Sequence, residues 1–131
     1  YALPPGEFAP FSLRFDQPLS ATRYTLTLDG GIAYDGELIG GEDLTWTNDS
    51  TRSDDGHLIV TGEVINTGNR TARNPLLTIT VFDDAGDVIA AGFTPLDVDR
   101  LAPEDTVTYA IQVPEIGGEP ANFYVNVQAQ R

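Results

Sequence analysis

The sequence predicts an all-β fold, a sandwich of about seven short strands preceded by a β-hairpin from a truncated upstream repeat. Three observations carry this expectation. Short segments alternate apolar and polar residues with a period of two, as half-buried strands do, and no segment keeps the 3.6-residue period of an amphipathic helix. Turn-forming Gly, Pro, Asn and Asp punctuate these segments along the whole chain. One hairpin pattern occurs twice.

The repetition sets the domain plan. Leu3–Phe15 lines up without gaps on Leu101–Val113, with coincident apolar positions, and after a loop one residue longer in the second copy Arg23–Leu28 falls on Asn122–Val127. Residues 1–29 therefore read as the last two strands of one repeat. Residues 30–43, with glycines at Gly30, Gly31, Gly40 and Gly41 around Ile32, Tyr34, Leu38 and Ile39, read as a short linker with apolar content. Residues 44–131 then hold one complete domain. Two strands cut from their sandwich would leave Leu13, Phe15, Tyr24, Leu26 and Leu28 uncovered, and a lone hairpin is marginal in water. It is expected either to pack on the complete domain through the linker apolars or to pair with its copy in a second chain, giving a homodimer through residues 1–29.

Within the complete domain the alternation predicts strands near Leu44–Asn48, His57–Asn66, Leu76–Phe82, Val88–Phe93, Thr106–Val113 and Asn122–Gln128, with a short one near Leu96–Val98. It turns Leu58, Val60 and Val64 inward on one strand and Leu77, Ile79 and Val81 on another. On the last two strands it does the same for Val107, Tyr109, Ile111, Val113, Phe123, Val125 and Val127, with Trp46 closing one end. Asp83–Asp87 supplies a glycine for a hairpin loop, and Asn66–Asn69 closes another strand.

Composition narrows the function classes. A formal net charge of −13, with seven arginines and no lysine, would repel a phosphate backbone, so nucleic acid is not expected as a partner. Without Cys there is no disulfide and no zinc–thiolate site. No run approaches the ~20 apolar residues of a membrane span, so no membrane insertion is expected within this chain. No methionine occurs, and Tyr1 is expected to lie inside a longer reading frame.

Three stretches together resemble the FxLYD family of immunoglobulin-like domains: Thr61–Gly68, with Gly62, Val64, Asn66 and Gly68 in a G-x-V-x-N-x-G pattern; Ile79–Asp83 with Gly86, Val88 and Ile89; and Leu101-Ala102-Pro103. Ile79 and Phe82 replace the Phe and Tyr of the naming motif, and Glu104 stands where Gly6 of the first copy keeps the family's glycine. The pattern covers roughly residues 44–128 and is shared in large part by CARDB-type cell-adhesion-related domains. The resemblance implies an immunoglobulin-like sandwich in an extracytoplasmic prokaryotic protein, secreted or in the cell envelope. It implies neither a family-wide ligand nor a catalytic residue.

Several side chains compete as sites. His57, beside Asp54, Asp55 and Gly56, reads as a strand-edge residue, because acid–base work would need a second polar group at hydrogen-bond range. Asp83, Asp84 and Asp87 read as the solvated tip of a hairpin. As a Ca²⁺ site, the other reading, they lack alternating acidic residues and a distal Glu. The acidic stretch from Asn48-Asp49-Ser50 to Asp54-Asp55 reads likewise as a solvated loop. Asn48-Asp49-Ser50 and Asn69-Arg70-Thr71 form glycosylation sequons, which are expected to stay unmodified in a prokaryotic source. A contact face for protein or carbohydrate would draw on Trp46, Asp54, Asp55, Asp97 and Arg100. The sequence thus predicts a non-catalytic structural or interaction module with no cofactor, the alternative being an accessory domain that binds carbohydrate or peptide with its loops.

Overall fold

The computed structural model describes residues 11, 23, 25–27, 37–52, 57–113 and 116–131. The upstream hairpin, apart from those first five residues, and the first part of the linker lie outside them. The described chain is all-β, with strands β1 (Leu38–Ile39), β2 (Leu44–Trp46), β3 (Asp49–Arg52), β4 (Leu58–Asn66), β5 (Ala72–Phe82), β6 (Val88–Pro95), β7 (Arg100–Leu101), β8 (Thr106–Val113) and β9 (Asn122–Gln130).

Two antiparallel sheets form. One has the order β1-β9-β5-β6, with β7 pairing the start of β5; the other has β4 between β8 and the successive strands β2 and β3. The chain changes sheets at the β1–β2, β4–β5, β7–β8 and β8–β9 connections, so the two layers are interleaved in sequence. Antiparallel pairing with one wet face per sheet demands alternation, and β8 shows it plainly: Tyr109, Ile111 and Val113 are buried while Thr108, Ala110 and Gln112 are exposed. The alternating residues meet in one cluster. Val64, Ile79, Ile111 and Val125 all belong to it, and of the expected core only Val107 and Phe123 are partly exposed, both still packed against it.

The linker ends earlier than the sequence suggested. Leu38 and Ile39 pair with Gln130 and Ala129 at the edge of the first sheet, and Ile39 is 1% exposed within the core. Asp43 and Leu44 amides then donate to the Gly40 carbonyl at 3.0 and 2.9 Å, turning the chain into β2. Residues 37–43 are therefore part of the sandwich, because an isoleucine and an edge ladder are satisfied there.

Three other boundaries also move. The expected loop from Asn48 onward is strand over β3, which pairs Asp49–Arg52 with Thr61–Leu58 although all four of its residues are exposed. β5 begins at Ala72, four residues before the expected Leu76, because a bulge carries the ladder across Asn74 and Pro75: Arg73 pairs with Gln130 and Leu76 with Gln128. Asn74 takes a φ of 46° there, a conformation asparagine tolerates better than most residues. The short strand expected at Leu96–Val98 is replaced by β7; Leu96 is instead a buried residue after β6 whose amide donates to the Pro75 carbonyl at 2.9 Å.

Candidate functional site

The polar residues that stand out in the sequence converge on the turns. Asn66 ends β4 fully buried, and its side chain makes three hydrogen bonds: Nδ2 donates to the carbonyls of Arg70 (2.7 Å) and Leu101 (2.8 Å), and Oδ1 accepts from the Gly68 amide (3.0 Å). It joins β4 of one sheet to β7 of the other. Its backbone is also engaged, with the amide donating to Asp105 O (3.1 Å) and the carbonyl accepting from Glu104 N (2.8 Å).

The glycines of the same pattern answer to close approach. A Cβ on Gly62 would stand 1.9 Å from the Thr47 carbonyl oxygen and 2.8 Å from the Tyr109 hydroxyl. That carbonyl dips over Gly62 between β2 and β3 and accepts a 2.9 Å hydrogen bond from Tyr109 Oη. Burial raises the Tyr109 pKa above its ordinary value of 10.0, since the phenolate would lose hydration. A Cβ on Gly68 would meet the Asp43 side chain at 2.8 Å, and the Thr67 and Gly68 amides both donate to Asp43 O. This cluster pins the residues preceding β2 to the end of β4.

The Leu101–Asp105 segment forms a tight turn in which the Asp105 amide donates to Ala102 O at 3.0 Å. Pro103 suits its second position. The third, Glu104, has a φ of 68°, the left-handed conformation for which glycine is the natural occupant. The loop between β5 and β6 is organised by Asp83, whose Oδ1 accepts from the amides of Ala85 (3.0 Å) and Asp87 (2.9 Å), with Gly86 at a φ of 85°. Asp84 and Asp87 are exposed beside it. Among the described residues no group of three or more His, Cys, Asp and Glu side chains stands close enough to hold a metal ion.

Of the residues expected to form a contact face, Trp46, Asp97 and Arg100 are described. Trp46 pairs with Val64 and packs against the core from β2, on the side of the sandwich where β2 meets β9. Asp97 and Arg100 are exposed near the β6–β7 edge, where the Asn74 amide donates to Asp99 O. Asp54 and Asp55 lie outside the described residues. Their flanks, Arg52 and the half-buried His57, stand at the opposite end of the sandwich from Asp97, beside Leu58 and Val113. Both sequon asparagines, Asn48 and Asn69, are exposed.

Two surface features had no clear sequence signal. An open groove of about 350 Å³ lies between the sheets at the Arg52 end, lined by Ser50–Arg52, Leu58 and Pro120–Phe123. The outer face of the β1-β9-β5-β6 sheet carries exposed Val88 (53%), Phe93 (72%) and Tyr124 (51%). Alternation could have placed Tyr124 outward, since it neighbours the core residue Val125, whereas Phe93 stands between Gly92 and Thr94 and carries no such signal.

Fold and site together define an all-β, two-sheet antiparallel sandwich whose most prominent polar residues hold turns and crossings. Compared with family models, curated proteins and solved structures, the chain matches none. Among the described residues no helix is long and apolar enough to cross a membrane.

Proposed function

We propose that the chain is a non-catalytic structural or interaction module, immunoglobulin-like and of FxLYD type, from a secreted or cell-envelope prokaryotic protein. The observation that carries this reading is where its polar chemistry goes. Asn66, Tyr109 and Asp83 each satisfy backbone groups of a turn or crossing. Function lives in sites rather than in folds, and groups held this way serve rigidity. A rigid sandwich of this kind spaces neighbouring domains and presents its loops and sheet faces to partners.

Purified protein offered ester, glycoside and peptide reporter substrates is expected to turn none of them over. A turnover abolished by changing His57 or a single carboxylate would overturn the reading.

The second reading, an accessory domain for carbohydrate or peptide, is favoured by the groove at the Arg52 end, where a guanidinium, Asn122 and the half-buried ring of Phe123 line one opening. Thermal melting with soluble oligosaccharides decides between the two. A saturable rise in Tm that disappears in Asn122→Ala assigns the groove a ligand, whereas the structural reading expects no shift.

A further inference from the structure

The two points at which the chain joins the sandwich lie side by side. β1 runs antiparallel to β9, with Leu38 opposite Gln130 and Ile39 opposite Ala129. Immediately outside this pair the Arg131 amide donates to the Glu37 carbonyl at 3.0 Å, and the Arg131 guanidinium is shared between the Glu37 and Asp43 carboxylates. Arg70, from the β4–β5 turn, reaches the same Glu37 carboxylate at 3.2 Å. Entry and exit are thus clasped together at the end of the molecule where Leu44 pairs with Asn66, and Arg73 with both Gln130 and Arg100. The other end is roughly 25–30 Å away, the span of Arg73–Phe82 at ~3.3 Å per residue. There Phe82 faces Val88 and Asn122, and Leu58 faces Arg52 and Val113. That end carries the connections from β3 to β4, β5 to β6 and β8 to β9, with exposed Asp84 and Asp87 and the open groove between Arg52 and Phe123.

We infer that the sandwich is mounted sideways on its chain: tension along the chain is taken by the clasp of β1 and β9, and the end with the groove and the β5–β6 loop is held out as the presenting end. The inference rests on the reading of the chain as a structural or interaction module and narrows it from spacing to presentation. A domain that spaces its neighbours is entered at one end and left at the other. Here, segments joined at Glu37 and at Arg131 meet at the clasp and are not held a sandwich length apart. The direction of load follows from the same register. Antiparallel hydrogen bonds lie perpendicular to the strands, so a pull applied at the paired ends of two strands acts along the bonds and breaks them one pair at a time. Pulling on Glu37 and Arg131 peels β1 from β9, then β9 from β5 starting at Gln130 and β2 from β4 starting at Leu44, each ladder being loaded at its end. A pull between the β5–β6 loop and Arg131 does the opposite. It slides Leu76–Phe82 against Asn122–Gln128 and loads that whole ladder at once.

Single-molecule stretching of the full chain tests this, with thiol handles placed without background because the native sequence has no Cys. Handles at the two ends of the chain are expected to unfold the sandwich at a force several-fold lower than one handle at the end following Arg131 and the other at exposed Ala85→Cys. Equal forces, or a higher force through the two ends, would overturn the proposal. A second measurement addresses the clasp itself. Leu38→Cys/Gln130→Cys sets two thiols on directly opposed residues, within disulfide reach, and oxidation is expected to close a bridge within one chain. A bridge formed only between two chains, or none, sinks the clasp; should that variant fail to fold by circular dichroism, the stretching comparison, which leaves the clasp unaltered, decides alone. Neither measurement bears on the non-catalytic reading, which stands on the reporter assays.

Discussion

Glu104 shows how a single residue can be at odds with its own turn. A side chain in the left-handed region costs roughly 1–2 kcal/mol relative to glycine, partly offset by glycine's extra freedom in the unfolded chain. Glu104→Gly is accordingly expected to raise stability by about 0.5–1 kcal/mol, seen as a higher urea midpoint with an unchanged slope. Asn66 is the opposite case, a buried side chain that holds three backbone groups. Asn66→Asp would set a carboxylate against the Arg70 and Leu101 carbonyls, both of which need a donor. A loss of at least ~3 kcal/mol is expected, measured by denaturant unfolding; a loss below 1 kcal/mol would mean the hydrogen bonds are not made. Tyr109 adds a pH signature. Its raised pKa means the folded state holds the phenolic proton more tightly than the unfolded chain. The associated stability is fully present below pH ~10 and is lost as pH rises through the folded pKa. Tyr109→Phe should lower stability by ~1–2 kcal/mol at neutral pH, by leaving Thr47 O unbonded, and flatten the decline above pH ~10. Melting curves across that range check both.

At the scale of elements, β4, β8 and β9 were legible because each alternates over enough residues for the period to show, and β6 because an apolar run follows a turn. β3 was not. Asp49-Ser50-Thr51-Arg52 has no apolar residue, and what makes it a strand is the unpaired edge of β4 alongside it. The start of β5 was hidden for another reason: Asn74-Pro75 has the chemistry of a turn, and only the bulge against β9 carries the ladder past it. β1 is too short for any period, and glycines on both sides disguise it as a linker. If it belongs to the sandwich, Ile39→Ala should cost ~2–4 kcal/mol, as a buried isoleucine does. A linker residue would cost almost nothing, so the same unfolding measurement separates the two assignments.

For the whole molecule, twenty acidic residues against seven arginines make self-repulsion a standing cost of compactness. The ion pairs that tie Glu37 and Asp43 to Arg70 and Arg131 gather at one end, and their side chains are all partly solvent-exposed, so each contributes little. Screening should therefore help more than it harms. Raising salt from ~0.01 M to ~1 M, which shortens the Debye length from about 30 to 3 Å, is expected to raise Tm by several degrees. A fall in Tm would show that the ion pairs outweigh the repulsion.

By itself the sequence determined the layer architecture and most of the core, because a period of two dictates which side chains point inward whatever their partners prove to be. It also marked the turn residues, since glycine, proline and asparagine declare their backbone preferences locally. Tertiary structure alone decided that Leu38 and Ile39 pair with β9, that β3 is a strand, and that Trp46 packs against the core. Each of these depends on which strand lies beside which, and edge pairing and face-to-face stacking join residues far apart in the chain, where no local pattern records them.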